Sequence, residues 1–266
     1  MTDLGNVRSA NEDCFLVDPG LGLLVVADGM SGHGGGAVAS ALAAKSIHAY
    51  LSSGGRSGAA APAVSDETIL GDDVGGPPPA SIATAGHTGS PVDRVREALA
   101  YANNQVYAVN RAHGMPERKG IGTTLAGLYW PAPSDSRAIV FHVGDCRVNR
   151  LRDSVFRHLS QDHSAFQRWI DDGAKGAPPA HNVVLRAVGP SASVEADVVT
   201  CVLLPGDVFL LCSDGLTGMV PDRELRAAML QTAAGASVED IALRLIALAK
   251  ANGGKDNVTV ALGIVR

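Results

Sequence analysis

Hydrophobic residues form short continuous runs in some parts of the chain and recur every three or four residues in others. Residues 21–27 are a continuous apolar run, typical of a buried strand, and the alanine-rich residues 37–51 favour a helix. A second helix is predicted to begin at Ser90-Pro91 and to end at Gly114, with one apolar face that packs beside the 37–51 helix on a sheet. The apolar positions of this face are Val95, Leu99, Ala102, Val106 and Val109.

Strand patterns dominate from residue 123 onwards, and two helical patterns return near the end of the chain. We predict two hairpins here, the second of them closed by the turn Pro205-Gly206-Asp207. Strand runs interleaved with paired helices favour an antiparallel α+β layer structure. The predicted strands are 124–129, 138–143, the hairpin of 147–151 with 155–159, the hairpin of 194–203 with 208–212, and the closing strand 258–265. The predicted helices are 222–232 and 237–251.

Composition argues against several classes of protein. The net charge of −5 and the lack of a basic run argue against nucleic acid as a partner. The chain contains no run of 18 apolar residues, so no membrane span is predicted. The N-terminus lacks the basic and apolar regions of a secretory signal. The four cysteines form no CxxC pair, which is typical of a protein in a reducing cytoplasm.

Composition also changes between the two N-terminal helices. Residues 53–91 are rich in glycine, proline and alanine and contain no aromatic residue. Such a segment buries too little apolar surface to offset the entropy lost on ordering. We therefore expect a single domain over residues 1–266 that carries a disordered insertion at 53–91.

Three aspartates each lie at one end of an apolar run. Asp28 and Asp214 end such runs and are each followed by glycine, and Asp256 precedes the closing strand. One Asp-Gly pair is most often an ordinary turn. Three aspartates at strand ends would repel one another at one edge of a sheet unless a cation binds between them, and hard divalent cations such as Mg²⁺ or Mn²⁺ favour these ligands.

Seven short motifs surround these aspartates in a characteristic order. Together they resemble the bacterial form of the metal-dependent PP2C (PPM) family of serine/threonine phosphatases, from Gly5 to Val265. The resemblance implies an α+β fold, a four-layer α-β-β-α sandwich with two central antiparallel sheets that are each flanked by a helix pair. The motifs are residues 5–13, 26–36, 122–124, 142–147, 161–164, 212–216 and 254–259.

The resemblance also implies a metal centre that holds two Mn²⁺ or Mg²⁺ ions. Asp28 would bridge both ions, Gly29 would contribute its carbonyl oxygen, and Asp214 and Asp256 would complete the shell. Asp145 together with Asp214 resembles the pair that holds a third ion in bacterial members, although Asp145 alone is also compatible with a turn anchor.

Three further residues resemble the catalytic residues of the family. Arg8 would bind the substrate phosphate through its bidentate guanidinium. Glu12 would hold a metal-bound water, and Asp13 would orient the groups around the ions. Asn257 is expected to brace the Asp256 loop.

The chain departs from the family pattern in several places, of which two concern leaving-group protonation and substrate access. Met30 stands where eukaryotic members carry a histidine proposed as general acid, so that bound water or another residue must protonate the leaving group. His33 is close in sequence, but a structural role is favoured for it. The segment that follows Asp162-His163-Ser164 is shorter than in the family, which affects the gating of substrate.

The function implied by the resemblance is hydrolysis of phosphoserine and phosphothreonine on proteins, by a monomer that opposes a bacterial Ser/Thr kinase. A phosphatase for small phosphate esters would use the same centre. A non-catalytic regulatory scaffold of the same fold is the third alternative, and its expected mark is the loss of a metal ligand.

Overall fold

Ten strands form two five-stranded antiparallel sheets in the computed structural model, which describes residues 1–30, 35–54, 89–132 and 136–266. The strands of the first sheet, in their order across it, are β1 (Thr2–Asp3), β10 (Val258–Ile264), β9 (Val208–Cys212), β6 (Arg147–Arg152) and β7 (Val155–His158). Those of the second sheet are β2 (Asp13–Asp18), β3 (Leu23–Met30), β4 (Gly122–Tyr129), β5 (Arg137–Val143) and β8 (Asp197–Val202).

Helices cover the outer faces of both sheets. On the second sheet, α1 (Gly36–Ser52) packs against α2 (Pro91–Ala112). On the first sheet lie α5 (Asp222–Met229), which continues as the 3-10 helix Leu230–Ala234, and α6 (Val238–Ala251). Two short helices, α3 (Ala165–Asp171) and α4 (Asp214–Thr217), follow β7 and β9 in the chain. The four-layer α+β sandwich implied by the motifs is confirmed.

The alternation of side chains along the central strands produces the layers. In β3, Val26 lies in the core between the sheets, whereas Val25 and Ala27 lie in the core under α1 and α2. In β9, Phe209 and Leu211 face the other sheet, and Leu210 and Cys212 face the outer helices. Successive residues of a strand point to opposite faces, so a strand covered on both sides must be apolar throughout.

The helix caps predicted from the sequence are present. Ser90 Oγ accepts a hydrogen bond from the Asp93 N–H, Asp93 Oδ2 accepts one from the Ser90 N–H, and Pro91 occupies the first turn. Ser237 caps α6 in a similar way, since its Oγ accepts from the Asp240 N–H. The predicted insertion at 53–91 falls mostly on residues 55–88, which lie outside the described residues.

One predicted hairpin is wrong. Strand β8 pairs with β5 at the edge of the second sheet, whereas β9 pairs with β6 and β10 inside the first sheet. The connection at 203–207 therefore changes sheets. Arg152 Nε donates to Oδ1 of the buried Asp207 at 2.6 Å, which ties this connection to β6. A Pro-Gly-Asp turn is compatible with a hairpin within one sheet and with a connection between two sheets, and tertiary contacts decided between these two.

Candidate metal centre

Strand register brings the ends of several strands to one end of the sandwich. Asp13 is paired with Asp28 across β2 and β3, and Asp28 is paired with Thr124 of β4. In the first sheet Cys212 is paired with both Arg147 and Val260, so the residues just before β6, just after β9 and just before β10 meet. The carboxylates gathered here are called the carboxylate centre. Its members are Asp13, Asp28, Asp145, Asp214 and Asp256.

The two sheets are joined at this centre by a serine that precedes one of the aspartates. Ser213 Oγ donates to Asp13 Oδ2 at 2.8 Å and accepts from the Thr259 N–H at 3.0 Å. Asp13 thus fixes the strand end that carries Asp214, consistent with the orienting role expected for it. Sequence reasoning gave Ser213 no role, although its position directly before Asp214 was the available signal.

Asn257 braces the loop that carries Asp256, as expected. Its side-chain oxygen accepts from the Glu12 N–H at 2.9 Å, and its amide nitrogen donates to the carbonyls of Leu4 and Ala10, both at 3.0 Å. Its own N–H donates to Asp256 Oδ1 at 2.9 Å. The amide therefore joins the N-terminal segment to the Asp256 loop, which places residues far apart in sequence beside one another.

Burial and mutual repulsion raise the pKa values of most of these carboxylates. Burial, followed by the charge of Asp13, raises the pKa of Asp28 well above its usual range. The pKa of Asp145 is raised to about 7, first by burial and then by the charge of Asp214. Burial likewise raises the pKa of Asp13, to about 6, and that of Asp214, in both cases as the largest cause. The centre therefore favours either bound protons or bound cations.

Two buried oxygen atoms of the centre have no hydrogen-bond partner among the described residues, namely Asp13 Oδ1 and Asp214 Oδ1. A buried carboxylate oxygen without a donor is unfavourable unless a ligand satisfies it. The donors gathered here are oxygen atoms, which Mg²⁺ and Mn²⁺ prefer over nitrogen or sulfur. The residues present therefore fit a divalent metal centre of this kind.

Gly29 follows Asp28 at a point where three backbone segments meet. Its N–H donates to the Glu12 carbonyl at 3.1 Å, and a Cβ here would lie 2.1 Å from the Gly36 carbonyl oxygen. Only glycine allows this close approach. Glu12 Oε1 accepts from the Gly36 N–H at 2.9 Å, so this carboxylate also anchors the start of α1. The predicted water-holding role of Glu12 stays a prediction.

Arg8 lies at the exposed rim of the centre. Its Nη2 donates to Asp256 Oδ2 at 2.6 Å, and the side chains of Arg8 and Asp256 are 52% and 35% exposed. Asp256, followed by the charges of Asp28 and Glu12, raises the pKa of Arg8 further above its usual range. A permanently charged guanidinium of this exposure can reach an anion that enters from solvent.

Asp145 lies on the turn between β5 and β6 and is 7% exposed. Gly144, directly before it, has φ +95°, and a Cβ there would come within 2.3 Å of Thr124. Next to this turn, Arg147 binds Asp162 in a bidentate pair, with Nε–Oδ1 at 2.8 Å and Nη2–Oδ2 at 2.7 Å. Sequence reasoning noted both residues within motifs but missed their pairing, since a distant ion pair leaves no local pattern.

Three further sequence expectations concern His33, Met30 and the segment after Ser164. His33 lies outside the described residues. Met30 ends β3 opposite Gly122, and the described part of the chain from 164 to 185 contains a single short helix, α3. After Ser164 the chain forms the short helix α3 followed by turns, and the expectation that this segment is shorter than in the family stays a prediction.

The sequence model of the family described as protein phosphatase 2C matches residues 7–247. The chain belongs to the protein phosphatase 2C (PP2C) family. This membership and the two-sheet architecture confirm the resemblance drawn from the seven motifs.

Several PP2C-type proteins are similar to the chain over almost its full length. It is 29% identical over 270 residues to the serine/threonine phosphatase stp of Listeria monocytogenes, with 98% of this chain and 92% of that protein covered. Its structure is similar to that of PppA, a regulatory component of the T6SS in Pseudomonas aeruginosa, at 31% identity and a TM-score of 0.72, with coverage of 98% and 94%. The PstP catalytic domain, solved with two manganese ions, is 29% identical with a TM-score of 0.75 and coverage of 100% and 96%.

Proposed function

We propose that this PP2C-family chain is a metal-dependent phosphatase that hydrolyses phosphoserine and phosphothreonine on proteins. The observation that carries the proposal is the carboxylate centre, with its unpartnered buried oxygens and with Arg8 at its rim. Similar proteins that align over more than nine-tenths of their own length bear the name serine/threonine phosphatase, and one of them was solved with two manganese ions.

Two Mn²⁺ or Mg²⁺ ions would be held by Asp28, the Gly29 carbonyl, Asp214 and Asp256, and a third by Asp145 with Asp214. Such ions, when bound, supply an activated water and offset the charge on the phosphoryl oxygens. The raised pKa values of Asp28, Asp145 and Asp214 support this assignment, since a cation would replace the protons these groups favour.

The other residues of the site position the substrate and the ligands. Arg8 binds the phosphate dianion from the rim of the centre. To do so, its guanidinium must either break its hydrogen bond to Asp256 or bind the phosphate and Asp256 together. Asp13 holds the Asp214 strand end through Ser213. Glu12 anchors the start of α1 through the Gly36 N–H and would hold a metal-bound water.

Phosphorylated proteins and a cognate Ser/Thr kinase are the partners we propose, and we propose action as a monomer in the cytoplasm. In the part of the chain that the structure describes, no helix is both long and apolar enough to cross a membrane.

Substrate class is tested by kcat/KM in the presence of Mn²⁺, measured on phosphoserine and phosphothreonine peptides and on a small aryl phosphate. We expect higher kcat/KM on the peptides. Higher kcat/KM on the small ester would favour the small-molecule phosphatase instead. Lack of turnover on both, in protein shown by calorimetry to bind Mn²⁺, would favour the scaffold.

A further inference from the structure

Two histidines, an aspartate and an arginine form a cluster beside the carboxylate centre, and no role has been assigned to them above. His142 of β5 is paired with Asp197 of β8, and the ring of His163 stacks on that of His142 with centroids 4.4 Å apart. Arg186 Nη1 lies 3.1 Å from both His163 Nε2 and Asp197 Oδ1. The cluster thus joins the edge of the second sheet to residues before and after α3.

The cluster resembles a metal site, because ligand atoms of His142, His163 and Asp197 all lie within 4.8 Å of one another. The hydrogen bonds argue otherwise. The Gly144 N–H donates to His163 Nδ1 at 3.1 Å, so Nδ1 carries the lone pair and Nε2 carries the proton of the neutral ring. The protonated Nε2 then faces Asp197 Oδ1 at 3.4 Å, and Arg186, which can only donate, is held by Asp197 Oδ1 at 3.1 Å. A metal would need a lone pair at Nε2, which this tautomer does not offer. A hydrogen-bonding role is therefore favoured.

His163 holds both backbone groups of one glycine. The His163 ring accepts a hydrogen bond from the Gly144 N–H, and the backbone N–H of His163 donates to the Gly144 carbonyl at 2.8 Å. Gly144 has a left-handed backbone (φ +95°) and directly precedes Asp145. A turn held through both of its polar backbone groups has little freedom to rotate, so His163 limits where Asp145 can point.

His163 directly precedes residues 164–185, a stretch at the protein surface that is here called the surface segment. The His163 carbonyl accepts from the Leu185 N–H at 2.8 Å, and Ser164 forms an antiparallel bridge with Val184. The Ala165 N–H donates to the Val183 carbonyl at 2.8 Å. The two ends of the surface segment are thus joined to each other next to His163.

We propose that His163 is a positioning residue that, through Gly144, orients Asp145 toward a metal ion. The proposal rests on the proposed function, in which Asp145 is a metal ligand. Burial, followed by the charge of Arg186, lowers the pKa of His163, which keeps the ring neutral and able to accept from Gly144 at neutral pH.

The experiment compares Mn²⁺ binding by calorimetry in wild type, Asp145→Asn, His163→Leu and His163→Asn. Asn Oδ1 occupies nearly the position of His Nδ1 and can accept from the Gly144 N–H, whereas leucine cannot. We expect His163→Leu to weaken, by about tenfold or more, the same Mn²⁺ site that Asp145→Asn removes, and His163→Asn to retain most of the affinity. The double variant Asp145→Asn/His163→Leu should lose no more than Asp145→Asn alone.

The matched control is His181→Leu, the same change at a histidine of the surface segment whose ring packs on Phe166. It should bind Mn²⁺ as wild type does. If His163→Leu does not fold, His163→Gln replaces it, because glutamine keeps a polar group but places its oxygen near the Nε2 position. Equal Mn²⁺ binding by His163→Gln and His163→Asn would then overturn the proposal.

Other results separate the failure of the proposal from that of its premise. Wild-type Mn²⁺ binding by His163→Leu, with a site lost in Asp145→Asn, would overturn the positioning role alone. An Asp145→Asn variant with unchanged Mn²⁺ binding would overturn the ligand assignment and the proposal with it. A tight Zn²⁺ site that disappears in Asp197→Asn would show that the cluster is a metal site after all.

Discussion

The carboxylate centre and the surface segment both adjoin His163, yet they are built from different kinds of structure. The centre is carried on the ends of strands whose neighbours are fully buried, for example Ala27 and Cys212, each 0% exposed. In the surface segment α3 buries none of its seven residues, and Ile170, Val183 and Leu185 are 44%, 44% and 41% exposed.

The two regions differ in how precisely their side chains must be positioned. Groups that must be held within fractions of an ångström are fixed by sheet register and buried hydrogen bonds. The surface segment, with a pocket of about 280 Å³ beside Trp169 and Leu185, is held at its ends and can vary without disturbing the strands. Substitutions in the centre should therefore affect chemistry much more than substitutions outside it.

The largest effect is expected from removing one carboxylate of the centre. Asp214→Asn and Asp256→Asn should each lower kcat by about 100-fold or more, because loss of groups that merely support a metal ligand already costs up to that much. Steady-state kinetics with Mn²⁺ measure the effect. Asp153→Asn, the same change in the turn between β6 and β7, is the matched control and should keep normal kcat.

These variants should remain folded. Removal of the buried negative charge of Asp214 relieves repulsion within the centre, so that metal-free Asp214→Asn should unfold at or above the wild-type temperature. Asp256 is partly exposed, so Asp256→Asn should lose no more than its exposed ion pair with Arg8. A metal-replete Asp256→Asn enzyme with normal kcat would show that Asp256 has been misassigned.

Arg8→Ala should act on substrate affinity. Arg8 meets the phosphate in the ground state as well as the transition state, so KM should rise about tenfold while kcat falls less. Arg8→Lys should recover little of this, because lysine lacks the bidentate geometry. Since the Arg8–Asp256 pair is exposed, the free energy of unfolding should change by less than about 1 kcal/mol.

The matched control for Arg8 is Arg96→Ala, an exposed arginine on α2 that pairs with Asp93. Its kcat/KM should equal that of wild type. An Arg8→Ala enzyme with unchanged kcat/KM would mean that Arg8 is only a surface charge, and that the rim contributes nothing to substrate binding.

A pH effect should distinguish the centre from the rest of the fold. The folded pKa values of Asp13 (about 6) and Asp145 (about 7) lie above their usual value, so the folded protein binds more protons than the unfolded chain over this range. This stabilisation is fully present below the ordinary aspartate pKa of 3.8, and it is lost as pH rises from there to about 6 to 7. In chelator, Tm should therefore fall over this range, and Mn²⁺ should oppose the fall.

The comparison of wild type with Asp145→Asn isolates this effect from the histidines. Burial lowers the pKa of His142 to about 4, which changes stability in the opposite direction as pH rises. The fall in Tm should be shallower in metal-free Asp145→Asn. Identical pH profiles of Tm for the two proteins would contradict a raised pKa of Asp145.

The smallest effect is expected from replacing residues 55–88 by a short Gly-Ser linker. Arg94 Nη2 donates to the Leu51 carbonyl at 3.0 Å, so the end of α1 and the start of α2 are close enough to be bridged. Loop length affects stability weakly, by about 0.6 kcal/mol per doubling. Turnover of a small phosphate ester should be near normal, and any change should appear only on a protein substrate.

The control for this deletion extends it through Ser90, which caps α2. Loss of the cap should reduce the free energy of unfolding by about 1 kcal/mol relative to the shorter deletion, with kcat unchanged. Loss of Mn²⁺ binding in the shorter deletion would show that residues 55–88 contribute to the centre.

Much of the fold and the candidate centre could be predicted because the signals are local. The apolar runs that end at Asp28 and Asp214 predict buried strands, and Ser90-Pro91 and Ser237 predict helix starts that the structure contains. The order of seven motifs predicted the PP2C family, which the family match confirms. These features depend on residues close together in the chain, whose backbone preferences are fixed by their neighbours.

The rest depended on partners that the chain meets only after folding. The strand at 197–202 and the strand at 208–212 have the pattern of a hairpin, but burial of β9 between β6 and β10 placed them in different sheets. The links from Ser213 to Asp13 and from His163 to Gly144 likewise join residues from separate motifs. A side-chain hydrogen bond needs only a donor and an acceptor at about 3 Å, and many pairs in a sequence satisfy that chemistry. Only the packing of the two sheets selects which of these pairs meet.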